Sequence, residues 1–209
     1  MRGCAVSGTA SVLRVNQIIV THTSFWHRRF VPYEPPPELA ALTLAQIAEL
    51  SAARKLPPVD QWDPQASSNS LMQIKADGRW FHDGGEIKRP AMVRAFASLL
   101  RRDVDGQHWL VTPYEKQSIV VDDAAFVAVD VVRQGDALVL RLNTDDDVIA
   151  GPDHPLIARG NADLPAIYLA VRHGTEARLN RSTWLQLVEL ADEDLTVSSQ
   201  GARYSLVPK

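Results

Sequence analysis

Turn signals cut residues 105–149 into short apolar runs, and that spacing confines the middle of the chain to sheet. Asp105-Gly106 and Gly135-Asp136 are pairs that accept left-handed backbone at little cost. Between and beyond them the pattern predicts strands at 108–111, 118–121, 125–132, 137–142 and 147–149.

The flanks carry helices. Leu71-Met72-Gln73-Ile74 reads as a strand, Ala76-Asp77-Gly78 as a turn and Trp80-Phe81-His82 as the returning strand. Pro90 suits a first helical position, and Met92, Val93, Phe96, Leu99 and Leu100 form one apolar face of a helix running to about Arg102. Downstream, 167–172 and 175–179 flank the turn His173-Gly174, and a helix over 182–191 is marked at its start by Ser182, Thr183 and Gln186. Shifting the first unit forward by 92 positions lays Ile87 on Leu179, Arg89 on Arg181, Met92 on Trp184 and Phe96 on Val188. This order predicts a duplication: an α+β fold of two related halves, each a hairpin of antiparallel strands followed by a helix.

Ahead of these units, residues 1–37 close on Tyr33-Glu34-Pro35-Pro36-Pro37, which continues neither a helix nor a central strand. They read as a flexible leader, or as residues upstream of a natural start near Glu38. Leu39, Leu42, Ile47 and Leu50 place an amphipathic helix over 38–55, stopped by Pro57-Pro58. The expected organisation is therefore a leader (1–37), a first half with this helix (38–116) and a β-rich second half (117–209).

Charge narrows the function classes. The chain holds 22 Lys and Arg against 25 Asp and Glu, for a net charge of −3, so it is not a uniformly basic nucleic-acid binder. Residues 75–102 nevertheless hold 7 basic and 3 acidic groups, and 103–147 hold 3 and 10, a polarity suited to a cleft for a charged ligand or to two solvated faces. The single cysteine, Cys4, excludes an internal disulfide or a thiolate cluster and fits a reducing, cytoplasmic setting. Arg14 and Asn16 interrupt the apolar stretch of a would-be signal peptide, and no run is long enough to span a bilayer.

Three constellations carry candidate chemistry. Thr112-Pro113-Tyr114-Glu115-Lys116 sits where a strand ends, so Thr112, Glu115 and Lys116 form either a polar ligand site or a structural Glu115–Lys116 ion pair. Arg89 and Arg181 each precede a helix, where a guanidinium grips a carboxylate or phosphate beside helix N–H groups, or braces its own hairpin. Asp153-His154 near Asp145-Asp146-Asp147 has oxygen and imidazole donors but no recognised metal-ligand spacing, so no metal or other cofactor is expected. No nucleophile elbow, phosphate loop or dinucleotide fingerprint is present; His82-Asp83-Gly84-Gly85-Glu86 reads as a turn.

Read together, Met72-Gln73-Ile74, Asp77-Gly78-Arg79-Trp80-Phe81, Ile87-Lys88-Arg89, Leu110-Val111-Thr112-Pro113-Tyr114-Glu115-Lys116, Asp122-Asp123-Ala124-Ala125-Phe126-Val127, Asp153-His154-Pro155-Leu156 and Glu176-Ala177-Arg178-Leu179-Asn180-Arg181 resemble the bacterial family called domain of unknown function 1285, over residues 56–208. The chain departs from that pattern in its more acidic 142–147 segment and in Ala125, where the family has Pro. The resemblance implies a two-part α+β protein whose C-terminal half is loosely like a pleckstrin-homology barrel, acting in signalling or regulation without established catalytic residues. The expected function is a non-enzymatic module that binds a polar small molecule or a protein between its halves, through Arg89, Thr112, Glu115, Lys116, Asp122, His154 and Arg181. The alternatives are a hydrolase or transferase using Glu115, His154 and Asp122, and nucleic-acid binding through 75–102.

Overall fold

Alternation of buried and exposed side chains builds most of this molecule. The computed structural model describes residues 56–161 and 165–208, so the leader and the helix expected over 38–55 lie outside the described residues. A 3-10 turn at Val59–Gln61 is followed by β1 (Ala66–Ile74), β2 (Trp80–His82), β3 (Gly85–Glu86), α1 (Pro90–Ala97), β4 (Leu100–Arg102), β5 (His108–Val111) and β6 (Glu115–Val121). Then come β7 (Phe126–Gln134), β8 (Ala137–Leu142), β9 (Asp147–Ala150), β10 (Leu156–Gly160), β11 (Pro165–Ala170), β12 (Glu176–Leu179), α2 (Arg181–Glu189), β13 (Thr196–Ser199) and β14 (Ala202–Ser205). With fourteen strands against two helices of 8 and 9 residues among the described residues, the fold is mostly β, not α+β.

The strands form two six-stranded sheets, ordered β3-β2-β1-β6-β5-β4 and β10-β11-β12-β7-β8-β9, and a β13-β14 ribbon. Each large sheet joins its first and last strands as a parallel pair, β1 with β6 and β7 with β12, and runs antiparallel elsewhere. The helices break the expected repeat. α1 lies between the third and fourth strands of its sheet, whereas α2 follows all six of its own. The 92-position shift therefore superposes places that are not equivalent, and the hairpin-then-helix duplication does not hold. The pleckstrin-homology-like barrel expected of the C-terminal half gives way to an open six-stranded sheet. A boundary at 116/117 falls inside β6, which belongs to the first sheet; the sheets part between Val121 and Phe126.

Local chemistry explains the altered ends. The helix expected to reach Arg102 stops at Ala97, where the Ser98 hydroxyl donates back to the Ala95 carbonyl at 2.7 Å. Leu100 then enters β4, buried and opposite Leu110. α2 begins at Arg181 because Asn180 is its cap, with Oδ1 accepting from the Thr183 N–H at 2.8 Å, so Ser182 lies inside the helix. The inward faces of both large sheets, including Ile74, Trp80, Leu100, Phe126, Leu140 and Leu169, share one apolar core.

Candidate functional site

β5 ends in the Thr112–Glu115 turn, where the Thr112 hydroxyl donates to the Glu115 carbonyl at 2.9 Å and accepts from the Glu115 N–H at 3.1 Å. Thr112 thus closes a turn. Neighbouring strand residues face opposite sides of a sheet, and Glu115 and Lys116 have separate partners. Glu115 accepts from Ser68 at 3.3 Å and Gln117 at 3.0 Å, whereas Lys116 lies 3.7 Å from Asp103 and 4.6 Å above the Trp109 ring. Asp122, just beyond the other end of β6, accepts from Gln73 at 2.7 Å and pairs with Lys75 at 3.3 Å. At about 3.3 Å per residue, the length of β6 holds Glu115 and Asp122 about 20 Å apart, too far to act on one bond. His154 stands on the second sheet, with Nδ1 3.1 Å from the Ala170 carbonyl oxygen.

The acidic run is divided among arginines. Asp145 pairs with Arg94 at 3.1 Å, Asp146 with Arg172 at 3.2 Å and Asp147 with Arg141 at 3.5 Å. Arg172, only 14% exposed, also reaches the Ala97 carbonyl at 3.4 Å and lies over the Phe126 ring at 5.1 Å, tying α1 to the second sheet. A second tie passes from Arg102 to Glu176, whose carboxylate also accepts from Arg159 at 2.8 Å. Of the seven bases in 75–102, Lys75, Arg79, Arg94, Arg101 and Arg102 are ion-paired among the described residues, three of them with acids of 103–147. Three ion pairs thus join the two charged segments, and Lys88 and Arg89 have no ion partner among the described residues.

His108 is half-buried beside this junction, and burial first, then the Arg102 guanidinium, hold its pKa below the ordinary histidine value, against an opposing pull from Glu176. The unfolded chain therefore binds a proton more readily than the folded one. Its contribution to stability is complete above about 6.5 and is lost as the pH falls through that value and below. Urea unfolding at about pH 7.5 and pH 5.5 is expected to show a smaller loss of midpoint in His108→Asn than in the parent chain.

Arg181 is the one predicted residue that lies on a concavity of uniform charge. With Arg178, Asn180 and Trp184 it lines a pocket of about 400 Å³ between β11, β12 and the start of α2, and none of the described lining residues is acidic. Arg178 is held by Asp123 at 2.6 Å, whereas Arg181 is exposed and has no ion partner among the described residues. The first N–H groups of a helix have no partner within it, and Asn180 satisfies only that of Thr183. The pocket thus joins two guanidinium groups, a positive helix terminus and an indole wall. Arg178 was legible only as an alternate outward position of a strand. Arg89 caps α1 on the other sheet, away from this pocket.

A model of the N-terminal domain of DUF1285, a domain of unknown function, matches residues 57–124, and one of the C-terminal domain of the same family matches 125–206. A crystal structure of a DUF1285 family protein from Silicibacter pomeroyi DSS-3 is 35% identical, covering 79% of this chain and 95% of that one, with a TM-score of 0.69. Another, from Shewanella baltica OS155, is 26% identical over 57% of this chain and 91% of that one, with a TM-score of 0.48. No curated protein matches.

Proposed function

The chain belongs to the DUF1285 family, and on that premise we propose that it is a non-catalytic binding module with a regulatory role, whose C-terminal domain holds a small ligand by a carboxylate or phosphate group between Arg181 and Arg178. One observation carries this reading: Arg181 is an arginine without an ion partner among the described residues, on a pocket whose described lining holds no acid. A guanidinium offers a planar fork of donors matched to an oxyanion, and a helix N-terminus adds favourable potential there. The separation of Glu115 from Asp122 favours binding over turnover, and the pairing of five of the seven bases in 75–102 disfavours nucleic acid. A cytoplasmic setting rests on the single cysteine.

Inorganic phosphate and citrate are the probes. A ligand at about one hundred times its Kd stabilises by about 2.7 kcal/mol, a rise of several degrees in Tm at this size. Such salts also stabilise proteins non-specifically, so the readout is the difference between the parent chain and Arg181→Gln. Without ligand, Arg181→Gln is expected to melt as the parent does, because the side chain is exposed; with ligand it is expected to lose most of the added rise. Equal rises in both proteins would refute the assignment.

A further inference from the structure

The two arginines of the α2 pocket are not equally available. Arg181 has no ion partner among the described residues, but Arg178 shares an acid with its neighbour across the β11–β12 pairing, Tyr168. The Arg178 guanidinium donates to one carboxylate oxygen of Asp123 at 2.6 Å, and the Tyr168 hydroxyl donates to the other at 2.7 Å. Asp123 lies in the connection between the two sheets, where the next residues, Ala124 and Ala125, are buried, so packed backbone holds its carboxylate in place. Tyr168 is fixed as well: it is buried, and the Arg159 guanidinium sits 4.5 Å from its ring while donating to Glu176 at 2.8 Å. The preceding residue, Asp122, is held by the first domain, with its N–H donating to the Ile74 carbonyl at 3.0 Å and its carboxylate pairing with Lys75 at 3.3 Å. Consecutive aspartates thus fasten the connection to both domains.

Resting on the reading of the α2 pocket as an oxyanion site, we infer that Asp123 regulates that site as an internal competitor: a bound carboxylate or phosphate engages Arg178 only at the expense of the Asp123 contact. The Asp123 carboxylate offers Arg178 the same chemistry as the ligand does, and the chain holds it there with no loss of translational freedom. A ligand therefore grips Arg181 freely and Arg178 against competition, and its affinity depends on how firmly the connection holds Asp123. Coupling between two contacts is reciprocal, so occupancy of the pocket weakens the Asp123 fastening by the same factor. Binding in the C-terminal domain thereby acquires a route to the connection between the domains.

The test is a titration of the ¹⁵N-labelled full chain with citrate and, separately, with inorganic phosphate at fixed ionic strength, with Kd read from the backbone amide shifts of Asn180 to Trp184. Asp123→Asn removes the charge while keeping the shape and an acceptor for the Tyr168 hydroxyl. If that variant does not fold, Asp123→Ser, which also removes the charge, replaces it. The expected result with at least one probe is a Kd about fivefold lower in Asp123→Asn, the factor that matches an ion pair at the upper end of the exposed range. Asp147→Asn removes an equal charge from an exposed position of the same domain, paired with Arg141 and not with Arg178, and is expected to leave Kd unchanged. In an Arg178→Gln background the gain from Asp123→Asn is expected to vanish. An unchanged Kd in Asp123→Asn, where Arg181→Gln still weakens binding, overturns the competition and leaves the reading of the pocket standing. A gain of equal size in the Arg178→Gln background overturns it too, because Asp123 would then act on the ligand directly. Binding that Arg181→Gln does not weaken refutes the reading of the pocket, and this inference with it.

Discussion

Phe126→Ala is expected to destabilise the chain by about 3–5 kcal/mol and to lower Tm by roughly 10 °C or more. Phe126 is fully buried at the start of β7, where the chain enters the second sheet, and stands in register with the fully buried Ala177. Truncation leaves a ring-sized cavity in a region fixed by strand pairing on both sides, so collapse cannot fill it. It also removes the surface on which Arg172 rests, 5.1 Å from the ring, and Arg172 joins Asp146 to the carbonyl of Ala97. A largely buried guanidinium resting on a ring contributes about 1 kcal/mol beyond area. Phe126→Leu retains most of the apolar volume and is expected to lose about half as much. Urea unfolding of both variants checks this, and a loss below 1 kcal/mol in Phe126→Ala would show that the core does not depend on the ring.

Local rules read the strands well and their assembly poorly. β2, β5 and β8 occupy the residues expected from alternation and turn chemistry, because a hairpin is specified by residues adjacent in sequence. β10, β13 and β14 were not anticipated, although Gly160-Asn161 ends β10 and Gln200-Gly201, both at positive φ, joins β13 to β14. The parallel pairing of β1 with β6, which creates the first sheet, spans the whole first domain and includes a register shift between Asn69 and Met72 that no local pattern encodes. The repeated apolar period of α1 and α2 misled for a related reason: any helix packed on a sheet shows it, wherever in the topology it is placed. The candidate sites divide in the same way. Arg181 was legible because a position before a helix has a chemical meaning on its own. Ion pairs such as Lys75–Asp122 were not, since their members meet only across strands. Which charges are neutralised is a property of the fold.

Gly174→Ala and Gly135→Ala separate two costs that a turn glycine can carry. Both residues have positive φ, +73° and +63°, so each alanine meets the strain of left-handed backbone, about 1 kcal/mol. A Cβ on Gly135 meets nothing within 4 Å, and there the cost ends. On Gly174 it falls 2.7 Å from the carbonyl oxygen of Arg102, a backbone atom of β4 that cannot rotate aside. His173 and Gly174 form the tip of the β11–β12 connection, both with positive φ as a type I′ turn requires, and the His173 carbonyl accepts from the Arg102 N–H at 2.9 Å. Relieving the contact means moving this tip off β4 and lengthening that hydrogen bond. The expected loss is about 3 kcal/mol for Gly174→Ala against about 1 kcal/mol for Gly135→Ala, a difference of several degrees in Tm. Equal losses would mean that the tip does not bear on β4. The larger loss at Gly174 would make this turn one of the points where the second domain is fastened to the first.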